Sequence, residues 1–205
     1  LQPLLTFNVW RDVGLRVLIA AVIAVAALAA LGWADWRRGT EAAQLEQAWA
    51  QRTKVQVTDF GSTETLEVVP LVNWRSESVG LRTEAGVSYL VKTDKHTILF
   101  DVGFNRKKES PSPLEHNMEA LGVKLDDIDT IFFSHAHRDH LGGTAWEKSR
   151  SFSLGMSQRD LGKKTVFAPV PLTYPNQPVQ VVAQPRALLP GVASTGPIPR
   201  RLMLG

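Results

Sequence analysis

The segment His135-Ala136-His137-Arg138-Asp139-His140 is the most informative part of this chain, and it follows the apolar, strand-like run Ile131-Phe132-Phe133. Imidazole and carboxylate groups are ligands that zinc and iron accept in proteins. In an extended segment alternate side chains point the same way, so His135 and His137 can bind one metal ion from one side. Asp139 and His140 follow where the chain must bend, and they can face a second ion.

A plainer interpretation of this cluster is a solvated polar loop after a buried strand. Three clustered histidines serve no structural purpose there that simpler polar residues would not serve, which favours the metal site. Gly142 and Gly143 follow the cluster, and glycines allow a tight turn next to a crowded site.

His-x-His-x-Asp-His after a hydrophobic strand resembles the signature of the metallo-β-lactamase fold. A second match is the predicted strand Thr97–Phe100, which leads into Asp101-Val102-Gly103. A helix-like stretch, Leu114 to Leu121, lies between the two motifs, and the resemblance covers the chain from Val69 to Gly143. It implies an α/β (α+β) fold, the αββα sandwich of two sheets between helices, built from two similar halves.

A narrower resemblance is to the dihydropterin ribofuranosylaminobenzene phosphate synthase-like subgroup. It rests on Thr83-Glu84-Ala85-Gly86-Val87-Ser88, on Glu115-His116-Asn117 and on Ser194-Thr195-Gly196-Pro197-Ile198-Pro199-Arg200. The subgroup usually has a histidine where Ala85 stands, so any role of that side chain is lost in this chain. These motifs say little about the substrate.

The resemblance implies two divalent metal ions, one held by His135 and His137 and the other by Asp139 and His140, with Asp139 also taking part in catalysis. Zinc is the expected metal, and iron or manganese are the alternatives. Because a metal ion lowers the pKa of bound water to about 7, the expected reaction is hydrolysis of a small-molecule substrate by metal-bound hydroxide. Asp101 is expected to hold a ligand imidazole by a hydrogen bond, although Asp-x-Gly also suits an ordinary turn.

The family's remaining metal ligands come from later segments, and no histidine follows His140. We therefore expect the N-terminal half of the sandwich only, with the other ligands beyond Gly205 and little activity in this chain alone. Two other functions stay open: a non-catalytic, truncated metal-binding or membrane scaffold protein, and iron-dependent oxygen chemistry on the same fold.

The segment from Val17 to Ala34 contains no charged residue, which predicts a transmembrane helix. Trp33 and Trp36, followed by two arginines, are typical of an interfacial anchor. A signal peptide cleaved after Ala27-Leu28-Ala29 and a buried soluble helix are the alternatives. The predicted organisation is a tail (1–16), a transmembrane helix (17–36), a helical stalk (37–54) and a metallo-β-lactamase-like domain (55–205) that is incomplete at its C-terminus.

The predicted location is a membrane that the chain crosses once. Arg11 and Arg16 before the span balance Arg37 and Arg38 after it, so the positive charges do not fix the orientation. A short N-terminal tail and a long downstream domain favour a domain outside the cytoplasm. The net charge of +3 is dispersed among acidic residues, so the expected partners are a small molecule and the membrane, with no nucleic acid.

Short alternating runs predict a mainly β-structured second part. The two strands on either side of Lys92–Lys95 are expected to form a hairpin, and Pro113 is expected to open a helix. Prolines should confine the late strands to edges or short lengths. His96 is expected to be a surface residue, and His116 a helix-surface or packing residue. The segment Trp146–Asp160 is expected to be polar. The predicted strands are Val55–Val57, Leu66–Val69, Gly86–Val91, Thr97–Phe100, Asp127–Ser134, Thr165–Val170 and Val179–Ala183.

Overall fold

The computed structural model describes residues 6–51 and 56–198, with side chains from residue 13 onward. The chain divides into two units: the helix α1 (Thr6–Ala50) belongs to the first, and the second is Val55–Ile198. Helix α1 runs without a break through most of the predicted tail, the predicted span and most of the predicted stalk. The helix expected after the apolar segment is observed as far as Ala50, whereas the division into tail, span, stalk and domain stays a prediction.

The part of α1 from Val13 to Ala50 contains an apolar stretch, with a mean hydropathy of 2.6 over eighteen residues. By length and composition it could cross a membrane, and a signal sequence near the N-terminus meets the same criteria. Polar contacts follow the apolar stretch: Arg38 lies 3.2 Å from Asp35, and the Arg37 guanidinium lies 5.6 Å from the centre of the Trp33 ring. These contacts give α1 a charged collar where its uncharged run ends.

The second unit alternates short strands with two short helices. In chain order its elements are β1 (Leu66–Val72), β2 (Ser88–Thr93), β3 (Thr97–Phe100), α2 (Pro113–Ala120), a 3₁₀ turn (Leu125–Asp127), β4 (Thr130–Phe132), α3 (Thr144–Lys148), β5 (Thr165–Ala168), β6 (Val179–Val181), β7 (Arg186–Leu189) and β8 (Val192–Ser194).

One mixed sheet of six strands organises this unit, in the order β1-β2-β3-β4-β5-β6. The first three strands are antiparallel, which confirms the predicted hairpin between β2 and β3, and β3 to β6 are parallel. Strands β7 and β8 form a separate antiparallel pair. This mixed architecture confirms the predicted α/β fold class. Because β3 and β4 are parallel, their carboxyl ends lie side by side at one edge of the sheet.

A row of aliphatic side chains that are neighbours in strand register forms the centre of the core. Its members are Leu90, Leu99, Ile131 and Val166, each at most 1% exposed. Helix α2 adds Leu114 and Met118 to the same cluster. Burying side chains of this size stabilises the fold by about 1.5–3 kcal/mol each. Leu99 and Ile131 each stand one residue before the end of their strand, so the core extends to the edge of the sheet at which β3 and β4 end.

Helix α2 begins as the sequence predicts, with Pro113 in its first turn. The Ser112 hydroxyl accepts from the Glu115 backbone N–H, and the Glu115 carboxylate accepts from the Ser112 N–H, which is a complete capping box. The Ser112 hydroxyl also donates to the Leu154 carbonyl at 2.6 Å, so the start of the helix is tied to the later part of the chain.

Two predicted strands were wrong, and one segment differs from its expected polarity. The predicted strand Asp127–Ser134 is shorter, because a 3₁₀ turn occupies Leu125–Asp127 and β4 covers only Thr130–Phe132. Gln56 and Val57 lie in no strand, and Val55 lies outside the described residues. The segment Trp146–Asp160 was expected to be polar, but it contributes Phe152 and Leu154 to the core. The β7–β8 pair was not predicted.

Candidate metal centre

The candidate site lies where β3 and β4 end at the same edge of the sheet. The Asp101 N–H donates to the Phe132 carbonyl at 2.8 Å, which extends the pairing of the two strands by one step. The chain after β4 then folds back across the end of β3. There the Val102 N–H donates to the His140 carbonyl at 3.1 Å, and the Gly142 N–H donates to the Gly103 carbonyl at 3.0 Å. The backbone of the histidine-rich segment is therefore fixed at both its ends.

Asp101 is the buried acid of the site, with no exposed surface. Its Oδ1 accepts from the Ser134 backbone N–H at 2.8 Å. Its Oδ2 accepts from the Ser134 hydroxyl at 2.6 Å and lies 2.7 Å from Nδ1 of His140. Asp101 also adopts a left-handed backbone, with φ of 58°, a conformation that costs of order 1 kcal/mol or more in a residue with a Cβ. Three hydrogen bonds to one carboxylate outweigh that cost.

The hydrogen bonds assign a tautomer to two of the imidazoles. A hydroxyl has one hydrogen, and Ser134 gives it to Asp101, so Ser134 can only accept from Nδ1 of His135, which lies 2.9 Å away. Nδ1 of His140 likewise donates to the Asp101 carboxylate. In the neutral rings the proton then sits on Nδ1 and the lone pair on Nε2. His135 and His140 therefore both present an Nε2 that is able to bind a metal ion.

The three imidazoles lie in contact with one another. The ring centroid of His135 lies 3.9 Å from that of His140 and 4.6 Å from that of His137. Oδ2 of Asp139 lies 3.5 Å from Nε2 of His140. The structure therefore gathers His135, His137, Asp139 and His140 next to Asp101, as the sequence predicts for their positions. It does not separate them into two pairs, and their roles as ligands stay a prediction.

The side chains of the cluster are of the types that bind zinc, since neutral imidazole and carboxylate are usual ligands of this ion. In residues 6–51 and 56–198 no three side chains of His, Asp or Glu are grouped so that they could hold one ion. The Nε2 atoms of His135 and His140, which carry the lone pairs when Nδ1 is protonated, are the atoms that would bind a metal ion. His137 and Asp139 would supply the other ligand positions.

Gly86 brings a further loop into contact with the site. It has φ of 83°, and a Cβ built at this position would lie only 1.9 Å from the Asp139 carbonyl oxygen. A residue with a side chain could not occupy this position without moving the backbone of Asp139. The loop that contains Ala85 and Gly86 therefore rests directly on the histidine-rich segment.

Sequence reasoning missed two contributors to the site. Ser134, which links His135 to Asp101, stands directly before the first histidine, and its hydroxyl at a strand end was the available signal. Gly86 was noted only as part of a motif, and nothing in the sequence indicates its contact with Asp139. His116 is a packing residue as expected, with Nε2 2.9 Å from the Gly80 carbonyl. His96 is not a surface residue, because its side chain is only 18% exposed and its Nε2 is buried.

The comparisons with known proteins agree with this geometry. Residues 81–152 match the family model of the metallo-beta-lactamase superfamily. The match includes Asp101 and the whole histidine cluster, and it confirms the recognition made from the sequence at the level of the superfamily. The narrower subgroup stays a prediction.

Two curated relatives are hydrolases by name. "Probable RNase MJ4" of Methanocaldococcus jannaschii is 34% identical over 88 residues, which cover 42% of this chain and 19% of that protein. "Probable metallo-hydrolase YqjP" of Bacillus subtilis is 41% identical over 56 residues, which cover 27% of this chain and 17% of that protein. The chain therefore spans less than a fifth of the length of either relative.

Two solved structures are similar over about two fifths of this chain. A metallo-beta-lactamase with a HARLDQ motif from Cronobacter sakazakii is 30% identical, with a TM-score of 0.28, over 42% of this chain and 26% of that one. The dizinc quorum-quenching lactonase AidC is 29% identical, with a TM-score of 0.27, over 40% of this chain and 25% of that one.

Proposed function

We propose that this chain is part of a membrane-anchored, metal-dependent hydrolase that acts on a small molecule. The observation that carries the proposal is the network in which Asp101 receives hydrogen bonds from Ser134 and His140, while Ser134 receives one from His135. This network leaves the lone pair on Nε2 of both imidazoles, and Nε2 of His140 lies 3.5 Å from the Asp139 carboxylate. A solvated polar loop would not need a buried carboxylate to fix its imidazole tautomers.

In this proposal His135, His137, Asp139 and His140 hold divalent ions, zinc first among them. When bound, such an ion lowers the pKa of a coordinated water to about 7 and polarises the bond under attack. Asp101 keeps the proton of His140 on Nδ1, and Ser134 does the same for His135, so that both rings stay oriented for binding. Asp139 is 38% exposed, so its carboxylate can accept a hydrogen from an incoming water.

The membrane part of the proposal rests on α1. Its apolar stretch, at about 1.5 Å per residue, is long enough to cross a hydrocarbon core of about 30 Å. The charged collar at its end is suited to the interface between lipid and water. We place the domain that follows α1 outside the cytoplasm, because a short N-terminal tail and a long downstream domain favour that orientation.

Metal content and turnover measured on the same samples test the hydrolase proposal. The full chain in detergent is loaded separately with zinc, manganese and iron, and a panel of lactones and phosphodiesters is assayed. We expect bound metal and a low rate of hydrolysis in wild type, since little activity is expected of this chain alone, and loss of both in the double variant His135→Ala, His137→Ala. Equal metal content in the two proteins would refute the ligand assignment. Bound metal without any turnover would favour the non-catalytic alternative.

A further inference from the structure

Two loops next to the candidate metal centre are joined by two ion pairs. The first loop contains Arg82 and Glu84 and ends at Gly86, which rests on Asp139. The second loop follows Asp101 directly and contains Arg106 and Glu109. Arg82 Nη1 lies 3.2 Å from Glu109 Oε2, and Arg106 Nε lies 3.7 Å from Glu84 Oε1, so that each loop supplies one base and one acid.

The second pair is asymmetric, because its acid is buried and its base is exposed. The side chain of Glu84 is 6% exposed and that of Arg106 is 67% exposed. Burying a carboxylate is costly unless it is paired, and the Glu84 carboxylate has a hydrogen bond from the Ala85 N–H at 2.9 Å and the contact with Arg106. Glu84 engages the Nε edge of the guanidinium. In the part of the chain that the structure describes, the terminal nitrogens of Arg106 have no recorded acidic partner.

Two further cations lie on the loops that leave the same sheet edge. Arg138 stands between the predicted ligands His137 and Asp139, and it is exposed. Lys108 follows Arg106 by two residues and is also exposed. Within residues 56–198 neither has a recorded ion pair. Three exposed cations, Arg106, Lys108 and Arg138, therefore stand on the two segments that follow β3 and β4, at the sheet edge where the candidate site lies. Of the acids on the neighbouring loops, Glu84 is buried, and Glu109 is paired with Arg82 and lies 4.0 Å from Lys107.

We propose that the substrate of this site carries a carboxylate or phosphate group, and that Arg106 and Arg138 bind that group. The inference rests on the hydrolase function proposed above and specifies its substrate class. A guanidinium presents paired N–H donors in a plane that matches the oxygens of such anions. Glu84 is a positioning residue, because it holds the Nε edge of Arg106 and leaves the other edge for the anion. The anion is small, because three cations at one sheet edge are far fewer than a nucleic-acid track requires.

The test uses binding first, so that it does not depend on turnover. The zinc-loaded full chain in detergent is titrated with inorganic phosphate and with succinate by calorimetry, and a single-stranded RNA oligonucleotide is a third arm. Arg106→Gln and Arg138→Gln each remove one proposed contact, and Glu84→Gln removes the orienting charge. Lys163→Gln is the matched control, since Lys163 is exposed and lies just before β5, at the opposite edge of the sheet.

We expect phosphate or succinate to bind wild type and the control equally, and each arginine variant about ten-fold or more weakly, as loss of a charge-assisted hydrogen bond predicts. Glu84→Gln should weaken binding less, and Arg106→Lys should restore it in part. For an ester that is hydrolysed, Arg106→Gln should raise KM more for an anionic ester than for a neutral analogue of the same size.

Several results would overturn the proposal: no binding of either anion, equal binding by wild type and both arginine variants, or tighter binding of RNA than of both small anions. Anion binding that depends on Arg106 and Arg138, in a protein that hydrolyses nothing, would instead reject the hydrolase function and keep the anion site. The melting temperatures of all variants confirm that each is folded. Substitution of the exposed Arg138 should leave the melting temperature unchanged, whereas Arg106→Gln should lower it because the buried Glu84 loses its partner, and Arg106→Lys keeps the charge and controls for that loss.

Discussion

Nδ1 of His140 lies 2.7 Å from Oδ2 of Asp101, although the two residues are 39 positions apart in the chain. The contact joins the end of β3 to the segment after β4. Through this contact the sheet fixes the orientation of His140, which is a predicted metal ligand. Because Asp101 is completely buried, its carboxylate cannot exchange this partner for water.

Changing Asp101 to Asn should weaken metal binding by about 10- to 100-fold, because the amide is uncharged and supports the His140 tautomer less well. Asparagine tolerates the left-handed backbone at this position, so the change tests the charge and not the fold. Competition with a chelating dye measures the affinity. Asp126→Asn, on the exposed 3₁₀ turn, is the control and should bind metal as wild type does. An affinity in Asp101→Asn equal to that of the control would contradict the role given to Asp101.

Changing Ser134 to Ala should release His135 while leaving His140 in place. The variant loses the hydroxyl between Asp101 and His135 but keeps the backbone N–H that donates to Asp101. Nitrogen NMR of the imidazoles should then show a mixture of tautomers for His135 and a single Nδ1-protonated form for His140. Ser134→Thr retains the hydroxyl and should resemble wild type. A single tautomer of His135 in Ser134→Ala would show that another group orients this ring.

Gly86→Ala should damage both folding and metal binding, because the new methyl group would collide with the Asp139 carbonyl. Gly122→Ala is the matched control: Gly122 also has a positive φ, of 69°, but nothing lies within 4 Å of a Cβ there. The control should cost about 1 kcal/mol in the free energy of unfolding, from the backbone conformation alone. Thermal melts and metal titration of the two variants make the comparison. Equal effects would mean that the loop can move away from Asp139 at no cost.

The contact between the β2–β3 turn and the segment that precedes β1 should weaken in strong acid. The Thr63 hydroxyl and the Glu64 N–H donate to the Asp94 carboxylate and lower its pKa from an ordinary value near 3.8 to about 2. A lowered pKa in the folded protein means that the charged form stabilises the fold. This contribution is complete above about pH 4 and is lost as the pH falls through about 2.

A carboxyl carbon NMR titration of Asp94 measures this pKa directly. Thr63→Val removes the main donor, so the midpoint should move up toward 3.8. The Glu64 N–H should lose its protection from hydrogen exchange over the same range of pH as Asp94 is protonated. A midpoint near 3.8 in wild type would rule out these hydrogen bonds in solution.

Carbonate extraction and N-terminal sequencing should show that α1 stays in the membrane uncleaved. Its apolar stretch is long enough to span a bilayer, and its charged collar would resist passage through lipid. Release of the protein into the soluble fraction, or a mature N-terminus near Ala30, would show that α1 is a signal sequence or a soluble helix.

The fold was predicted best where one short stretch of sequence determines the structure alone. Alternating and apolar runs located β1, β3 and the β2–β3 hairpin, and Pro113 located the start of α2. The prediction failed where a contact between distant residues decides the outcome. Phe152 and Leu154 enter the core because the Ser112 hydroxyl binds the Leu154 carbonyl 42 residues away, which no local pattern indicates.

The residues of the candidate site also fall into two groups: those that a local pattern predicts, and those that only a contact between distant residues reveals. The four predicted ligands were visible because their residue types are rare and adjacent. The hydroxyl of Ser134 and the missing side chain of Gly86 are common features of any sequence, and they acquire meaning only through their contacts with Asp101 and Asp139. The reciprocal ion pairs of Arg82 and Arg106 likewise depend on two loops that meet only in the folded chain.

The Asp101 network also bears on the order in which this protein acquires its structure and its metal. Its hydrogen bonds are all made between groups of the chain itself, and none needs an ion to complete it. The free energy of metal binding is then available for affinity and is not consumed in folding, in contrast to small domains that fold only around zinc. Removal of the ion by a chelator should therefore leave a folded protein that can bind the ion again, because its ligand side chains keep their positions.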